Sequence, residues 1–184
     1  WAVRVLRRRR TYDDRYRLLL FGHELKAEAS PDTRRFWDEF LAEIADLEAA
    51  GAVVRMGQCD DMPEAFRDVG VIVSSSVRES FHCALVEGAA SGAVPVVRDW
   101  PFFAGKPTGA RSLFPKDWVV DTPEEAAERV RSVTVTEEAW RSAGAAAAAH
   151  AIDTWDWEIV KHGFDGVVYG MPVAAAGEGP DSVN

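Results

Sequence analysis

At 184 residues the chain falls within the usual range of one domain, and a hydrophobic content of 47% is ample for a buried core. A net charge of −9 argues against a general nucleic-acid-binding surface, while leaving room for a local cationic pocket. No apolar run approaches the roughly 20 residues that a membrane span requires.

In chain order, Trp1 to Arg10 reads as a helix ending in the basic cluster Arg7-Arg8-Arg9-Arg10. The plain expectation for that cluster is a solvated helix end, where cations complement the dipole; a membrane-facing or acceptor-facing patch is the alternative. Leu18 to Phe21 is a short apolar strand that ends in Gly22-His23. Arg34 to Ala50 has an amphipathic helix pattern with Phe36, Phe40, Ile44 and Leu47 on one face, closed by Gly51. Val53 to Met56 is the next strand and runs into Gly57-Gln58; Asp61 to Phe66 follows with a cap-like start and a proline near the first turn.

Val71 to Val73 and Val94 to Val97 are β-branched apolar runs suited to inner strands of a parallel sheet. A crossover helix from about Phe81 to Ser91 lies between them, with Ser80 as a fair N-cap. Trp118 to Val120 is a last short strand, and Pro123 to Val133, Glu137 to Ala151 and Ile152 to Tyr169 read as helices. Met171 to Asn184, rich in Ala, Gly and Pro, is expected to be disordered. The alternation argues for an α/β fold with a doubly wound parallel sheet, Rossmann-like, which fixes a fold class and leaves function open.

Ligands of such sheets sit at the carboxyl ends of the strands, here the loop Ser74 to Ser80 that contains Glu79. The helix after that loop leaves its first N–H groups without intrahelical partners, which suits a phosphate. Glu87 lies about one and a half turns further in, among Cys83, Ala84, Gly88 and Ser91. A carboxylate on such a small-residue face suits a pair of hydroxyls, as on a ribose. The plainer readings are a helix-start acid for Glu79 and a solvent-facing position for Glu87. His23 is either a phosphate or base contact or a satisfied loop histidine, and His150 and His162 are expected at the surface. Asp99 and Trp100 either line the pocket or form a turn before Pro101. Cys59 and Cys83 lack metal-type spacing; the expectation is buried small residues and a reducing, cytoplasmic location.

The stretch Glu79-Ser80-Phe81-His82-Cys83-Ala84-Leu85-Val86-Glu87, followed by Gly-Ala-Ala-Ser-Gly-Ala-Val-Pro-Val-Val, resembles the donor-site signature of GT-B glycosyltransferases of the retaining, GT4-like group. Trp155-Asp156-Trp157-Glu158 is similar to that family's closing helix. The resemblance implies that residues 1–168 form an N-terminally truncated donor-binding domain, the C-terminal half of a GT-B architecture, with a tail at 169–184. It implies Glu79 as the catalytic residue facing the donor sugar, and Ser80, Phe81, His82 and Cys83 as a segment whose backbone amides hold sugar hydroxyls and diphosphate. Glu87 would bind the ribose, and Gly57 with Gln58 the base.

His82 stands where the family often has glycine, so its side chain either points away from the donor or adds a contact. The implied reaction passes a sugar from a nucleotide diphosphate to an acceptor with retention, using the leaving diphosphate as base, with no metal and no cofactor beyond the nucleotide sugar. The implied partner is a preceding acceptor domain, with peripheral membrane contact open and no nucleic acid. An epimerase or phosphorylase on the same half-fold, or a noncatalytic nucleotide-sugar-binding module, are the other functions that fit.

Overall fold

The computed structural model describes residues 1–11, 13–26 and 28–170. Among these, strands β1 (Leu18–Phe21), β2 (Val53–Gly57), β3 (Val71–Ser74), β4 (Val94–Arg98) and β5 (Val119–Val120) alternate with helices. The helices are α1 (Ala2–Arg10), α2 (Pro31–Ala49), α3 (Met62–Phe66), α4 (Cys83–Ala90), α5 (Ala110–Leu113), α6 (Pro123–Val133), α7 (Glu137–Trp155) and α8 (Trp157–Tyr169). A 3₁₀ turn, Lys116–Trp118, leads into β5.

Every strand pairing is parallel. β4 lies between β3 and β5, with Ser74 opposite Val97 and Val97 opposite Val119. Successive side chains of a strand point to opposite faces, and β4 shows both faces covered. Val97 packs with Leu85 and Ala89 of α4 and Ala147 and Ala151 of α7. Val96 packs the other way, with Val5 of α1 and Ala126, Ala127 and Val130 of α6. A strand buried on both sides needs a continuous apolar run, which Val-Pro-Val-Val supplies. The doubly wound α/β class expected from the alternation is therefore the fold observed.

The ladder is divided, however. β1 pairs only with β2 among the described residues, and no ladder bond joins these two to the other three strands. Side-chain packing connects the groups instead. From α1, Val3 and Leu6 pack with Ile44, Leu47 and Val53, whereas Val5 packs against Val96. Tyr16 touches both clusters and its hydroxyl lies 2.5 Å from Thr134 Oγ1.

Several boundaries and surfaces depart from the sequence expectations. α2 begins at Pro31 because Ser30 caps it: Ser30 Oγ accepts from the Thr33 N–H at 3.2 Å, and proline occupies the first turn. Its apolar face is shorter than the pattern implied, since Ile44 and Leu47 are buried but Phe36 is 67% exposed. α7 continues to Trp155, and the break falls at Asp156, whose extended backbone (φ −58°, ψ 146°) and carboxylate start α8.

The arginine cluster is not simply a solvated end. Arg7 donates two bonds to Asp46 at 2.7 and 2.8 Å, Arg9 is buried with its guanidinium 4.9 Å from the Tyr16 ring centre, and Arg10 donates to the Tyr16 carbonyl at 2.9 Å. His150 is half-buried, not open at the surface; its ring meets Trp118 and Trp155 edge-on, 5.4 and 5.1 Å between centroids. His162 is exposed as expected. The tail expectation for residues 171–184 lies outside the described residues.

Two glycines allow close approach of helices, α4 to the sheet and α7 to the turn between α4 and β4. A Cβ built on Gly144 of α7 would lie 2.3 Å from the Gly92 carbonyl oxygen, and one on Gly88 of α4 would lie 2.4 Å from Ile72 Cδ1. Backbone cannot yield as a methyl terminus can. Gly144→Ala is expected to cost about 2 kcal/mol, through overpacking that outweighs the gain in helix propensity. Gly88→Ala should cost less; denaturant unfolding of the two variants side by side checks the order.

Candidate functional site

The site is built where β3 ends. Ser74, its last residue, is fully buried, and the chain then crosses an exposed loop to α4. The helix does not begin at Phe81, and Ser80 is not its cap. His82 occupies the N-cap in the left-handed region (φ 65°, ψ 64°) without a capping side-chain bond. It is the one non-glycine residue with positive φ among those described. Such a conformation is uncommon for a residue with a Cβ, so glycine is the sterically easy choice here and histidine is held by something else.

What holds it is a bond to β3. His82 Nδ1 lies 2.7 Å from Ser74 Oγ, and that same oxygen accepts the Trp100 indole N–H at 3.2 Å. Trp100 follows β4 and is fully buried, so it is core and does not line a pocket as one of the two sequence readings had it. Phe81 also turns inward, its ring 6.3 Å from Phe114 and 5.8 Å from Trp155 between centroids. With the Phe81 ring packed against the aromatic core and the half-buried His82 ring tied to Ser74, the Ser80 to Cys83 backbone is anchored at both of these residues.

Glu79 is half-buried beside this turn. Its Oε2 accepts from Ser76 Oγ at 3.2 Å and its Oε1 from the Ser80 N–H at 3.1 Å, an arrangement that keeps a carboxylate in the loop. The loop is clipped to the segment after β4, where the Phe102 N–H donates to the Val77 carbonyl at 3.1 Å. The Arg78 guanidinium lies 5.0 Å and the Lys106 ammonium 4.7 Å from the Phe102 ring centre, so two cations rest on the ring at this clip. Arg111 donates to Asp99 at 2.8 Å and to Asp121 at 2.5 Å, tying the ends of β4 and β5 together. Asp99 thus serves as an ion-pair partner and not as a free pocket wall. No sequence spacing signals that pairing.

On α4, Leu85, Gly88 and Ala89 face the sheet while Cys83, Ala84, Glu87 and Ala90 are exposed. The open face is the small-residue face inferred from sequence, with the Glu87 carboxylate standing on it. Cys83 departs from the expectation of burial, and Cys59 is half-buried, its thiol donating to the Asp61 carbonyl at 3.3 Å.

Glu79, Ser80, His82, Cys83 and Glu87 thus share one loop and helix start. The remaining candidates form a second group. Gly57 ends β2 and Gln58 follows it, while His23 lies just beyond β1, the two strand ends being joined by a 2.9 Å bond from the Gly22 N–H to the Gly57 carbonyl. Both His23 and Gln58 are exposed, and no described contact links them to the Glu79 loop.

Burial holds the His82 imidazole below its ordinary pKa, against the opposing pull of the Glu79 carboxylate. The neutral ring is the form the fold prefers. Among the described residues there is no group of three or more His, Cys, Asp or Glu side chains placed to hold a metal ion. No helix among them is long and apolar enough to cross a membrane.

Fold and site together define a doubly wound α/β domain with a carboxylate-bearing loop at a strand's carboxyl end and a helix opening beside it. Solved structures that share this fold include two of Anabaena Alr3699/HepE, one in complex with UDP and glucose and one in complex with UDP. The first superposes with a TM-score of 0.65 at 13% identity over 93% of this chain, and the second with 0.63 at 14% over 93%. The chain spans about half the length of these neighbours, 53% and 54%. Neither a protein-family model nor a curated protein sequence matches it.

Two outcomes test the hydrogen-bonded core of the site. Ser74→Ala strands the Trp100 N–H in the interior and should cost roughly 1–3 kcal/mol in equilibrium unfolding. For His82, a folded pKa below the unfolded one means that the unfolded chain takes up a proton first as pH falls. Its contribution is complete above the ordinary value of about 6.5 and is lost as pH falls from there through the folded pKa. Stability measured at pH 7.5 and 5.5 should therefore drop more for the wild type than for His82→Asn, which keeps a residue tolerant of positive φ.

Proposed function

We propose that the chain is the nucleotide-sugar donor-binding half of a glycosyltransferase that moves a sugar from a nucleotide diphosphate to an acceptor with retention. The observation that carries this reading is the placement of two carboxylates eight residues apart on one loop and helix start: Glu79 at the carboxyl end of β3 and Glu87 on the open face of α4. The fold shared with a protein captured with UDP and glucose supports it.

In this reading the nucleotide ribose hydroxyls meet Glu87, whose two oxygens accept from a diol. The diphosphate lies at the start of α4, where free N–H groups and the helix dipole favour negative charge. Glu79 orients the sugar and offsets the positive charge that builds on it as the bond to the leaving phosphate stretches. Arg78 and Lys106 add positive potential on the same edge. The leaving diphosphate takes the acceptor's proton, so the chain contributes positioning and electrostatics, without a metal or a further cofactor. His23, Gly57 and Gln58, at the ends of β1 and β2, are the contacts for the base. The acceptor is held by a preceding domain.

Calorimetric titration with UDP, GDP and ADP sugars tests the reading. One nucleotide class should bind saturably, and Glu87→Ala should weaken it by on the order of 1–3 kcal/mol, the cost of leaving a polar partner unmet. Glu79→Ala should act on the sugar-dependent part of the affinity. Equal losses for the free nucleotide in both variants would contradict the division of roles.

A further inference from the structure

The protons around Ser74 can be assigned by counting donors. The Trp100 indole Nε1 has a proton to give and no lone pair to accept with, so at 3.2 Å it donates to Ser74 Oγ. Ser74 is fully buried, and its own hydroxyl proton needs an acceptor. Nδ1 of His82, at 2.7 Å, supplies one. The reverse arrangement, with Nδ1–H donating to Oγ, would leave the buried hydroxyl proton without that acceptor. Nδ1 is therefore the bare nitrogen, and the neutral ring carries its proton on Nε2. Nε2 lies across the ring, facing away from the buried hydroxyl.

Position 82 adds a second argument. Glycine would adopt φ 65° freely, whereas histidine holds it against a steric cost. Strain of this kind persists where the surroundings over-determine it, and it is concentrated at functional sites. Here the surroundings are the Ser74 and Trp100 bonds on one side of the ring and the Glu79 loop beside it.

We propose that His82 is a ligand-binding residue, a neutral Nε2–H donor held in one tautomer by Ser74 and Trp100, which works with the Glu79 carboxylate to take neighbouring hydroxyls of the donor sugar and not its phosphates. The inference rests on the donor-site reading above. A hydroxyl can accept from the imidazole N–H and donate to the carboxylate, so two adjacent hydroxyls satisfy both residues. A phosphate only accepts, and beside Glu79 it meets like charge. The pair therefore sorts the ligand: sugar toward residues 79 and 82, diphosphate toward the amides that start α4.

The test uses the full chain and two probes, UDP and UDP-glucose. Long-range proton–nitrogen NMR of the histidine side chains, without ligand at pH 7, should show His82 protonated on Nε2 alone. UDP-glucose should then move the Nε2 signal, and His82→Gly, which accepts the same backbone angles, should lose at least tenfold more affinity for UDP-glucose than for UDP. A ring protonated on Nδ1, or exchanging between tautomers, would overturn the proposal. So would equal losses for the two nucleotides, or a Nε2 signal that stays still while the Cys83 and Ala84 amides shift. Failure of the wild type to bind either nucleotide would refute the donor-site reading and this role with it, and the ligand-free tautomer would separate that failure from a failure of the Ser74 latch.

Discussion

One buried hydroxyl organises this end of the molecule. Ser74 terminates β3, accepts from the indole that follows β4, and meets the imidazole that precedes α4. Two strands and a helix start are thereby referred to a single oxygen atom with no access to solvent. Hydrogen bonds in such surroundings are stronger than in water, and leaving one unmade is correspondingly expensive. The loop carrying Glu79 spans only the residues between two of these anchors, so the acid is constrained from both sides although its loop is partly exposed. The left-handed turn at His82 follows from the same atom.

Small residues do the complementary work. With Gly88 against Ile72, α4 lies close upon the sheet, and with Gly144 against the Gly92 carbonyl, α7 lies close upon the turn that follows α4. A helix set that deep keeps its opposite face low and uncluttered, which leaves Ala84, Ala90 and the Glu87 carboxylate open. Charge is distributed on a similar plan. In a chain of net charge −9, Arg7, Arg55 and Arg111 are each taken up by carboxylates from other parts of the chain, while Arg78 and Lys106 rest on an aromatic ring beside the site.

The parts of the fold that were legible in sequence are those governed by local chemistry. Strands at 18–21, 71–74 and 94–98 announce themselves as β-branched or leucine-rich runs, and α6 starts where Thr122 caps it and Pro123 takes the first turn. The helix carrying Glu87 was legible too, but its first residue was not. Ser80 has the chemistry of a cap, yet the cap position fell to His82 because a serine eight residues earlier captures its ring. Trp100, within the turn-forming Asp-Trp-Pro segment, gave no sign that its indole would close a hydrogen bond to β3. The division of the strands into two hydrogen-bonded groups was equally silent, since apolar alternation specifies faces and says nothing of which edges meet. Of the candidate residues, the loop and helix group was recoverable because it is contiguous; the relation of His23 and Gln58 to it is a matter of tertiary placement.

β5 has only two residues, Val119–Val120, and it forms the outer edge of the three-stranded sheet. Its neighbour Asp121 already spends its N–H on Glu125 at 2.9 Å, and Pro123 with Glu124 and Glu125 follows at once. A strand from another molecule would find little backbone to pair with and a cluster of negative charge where it tried. That border of the sheet is closed to growth by strand addition, which protects a parallel sheet of valines from recruiting its own kind.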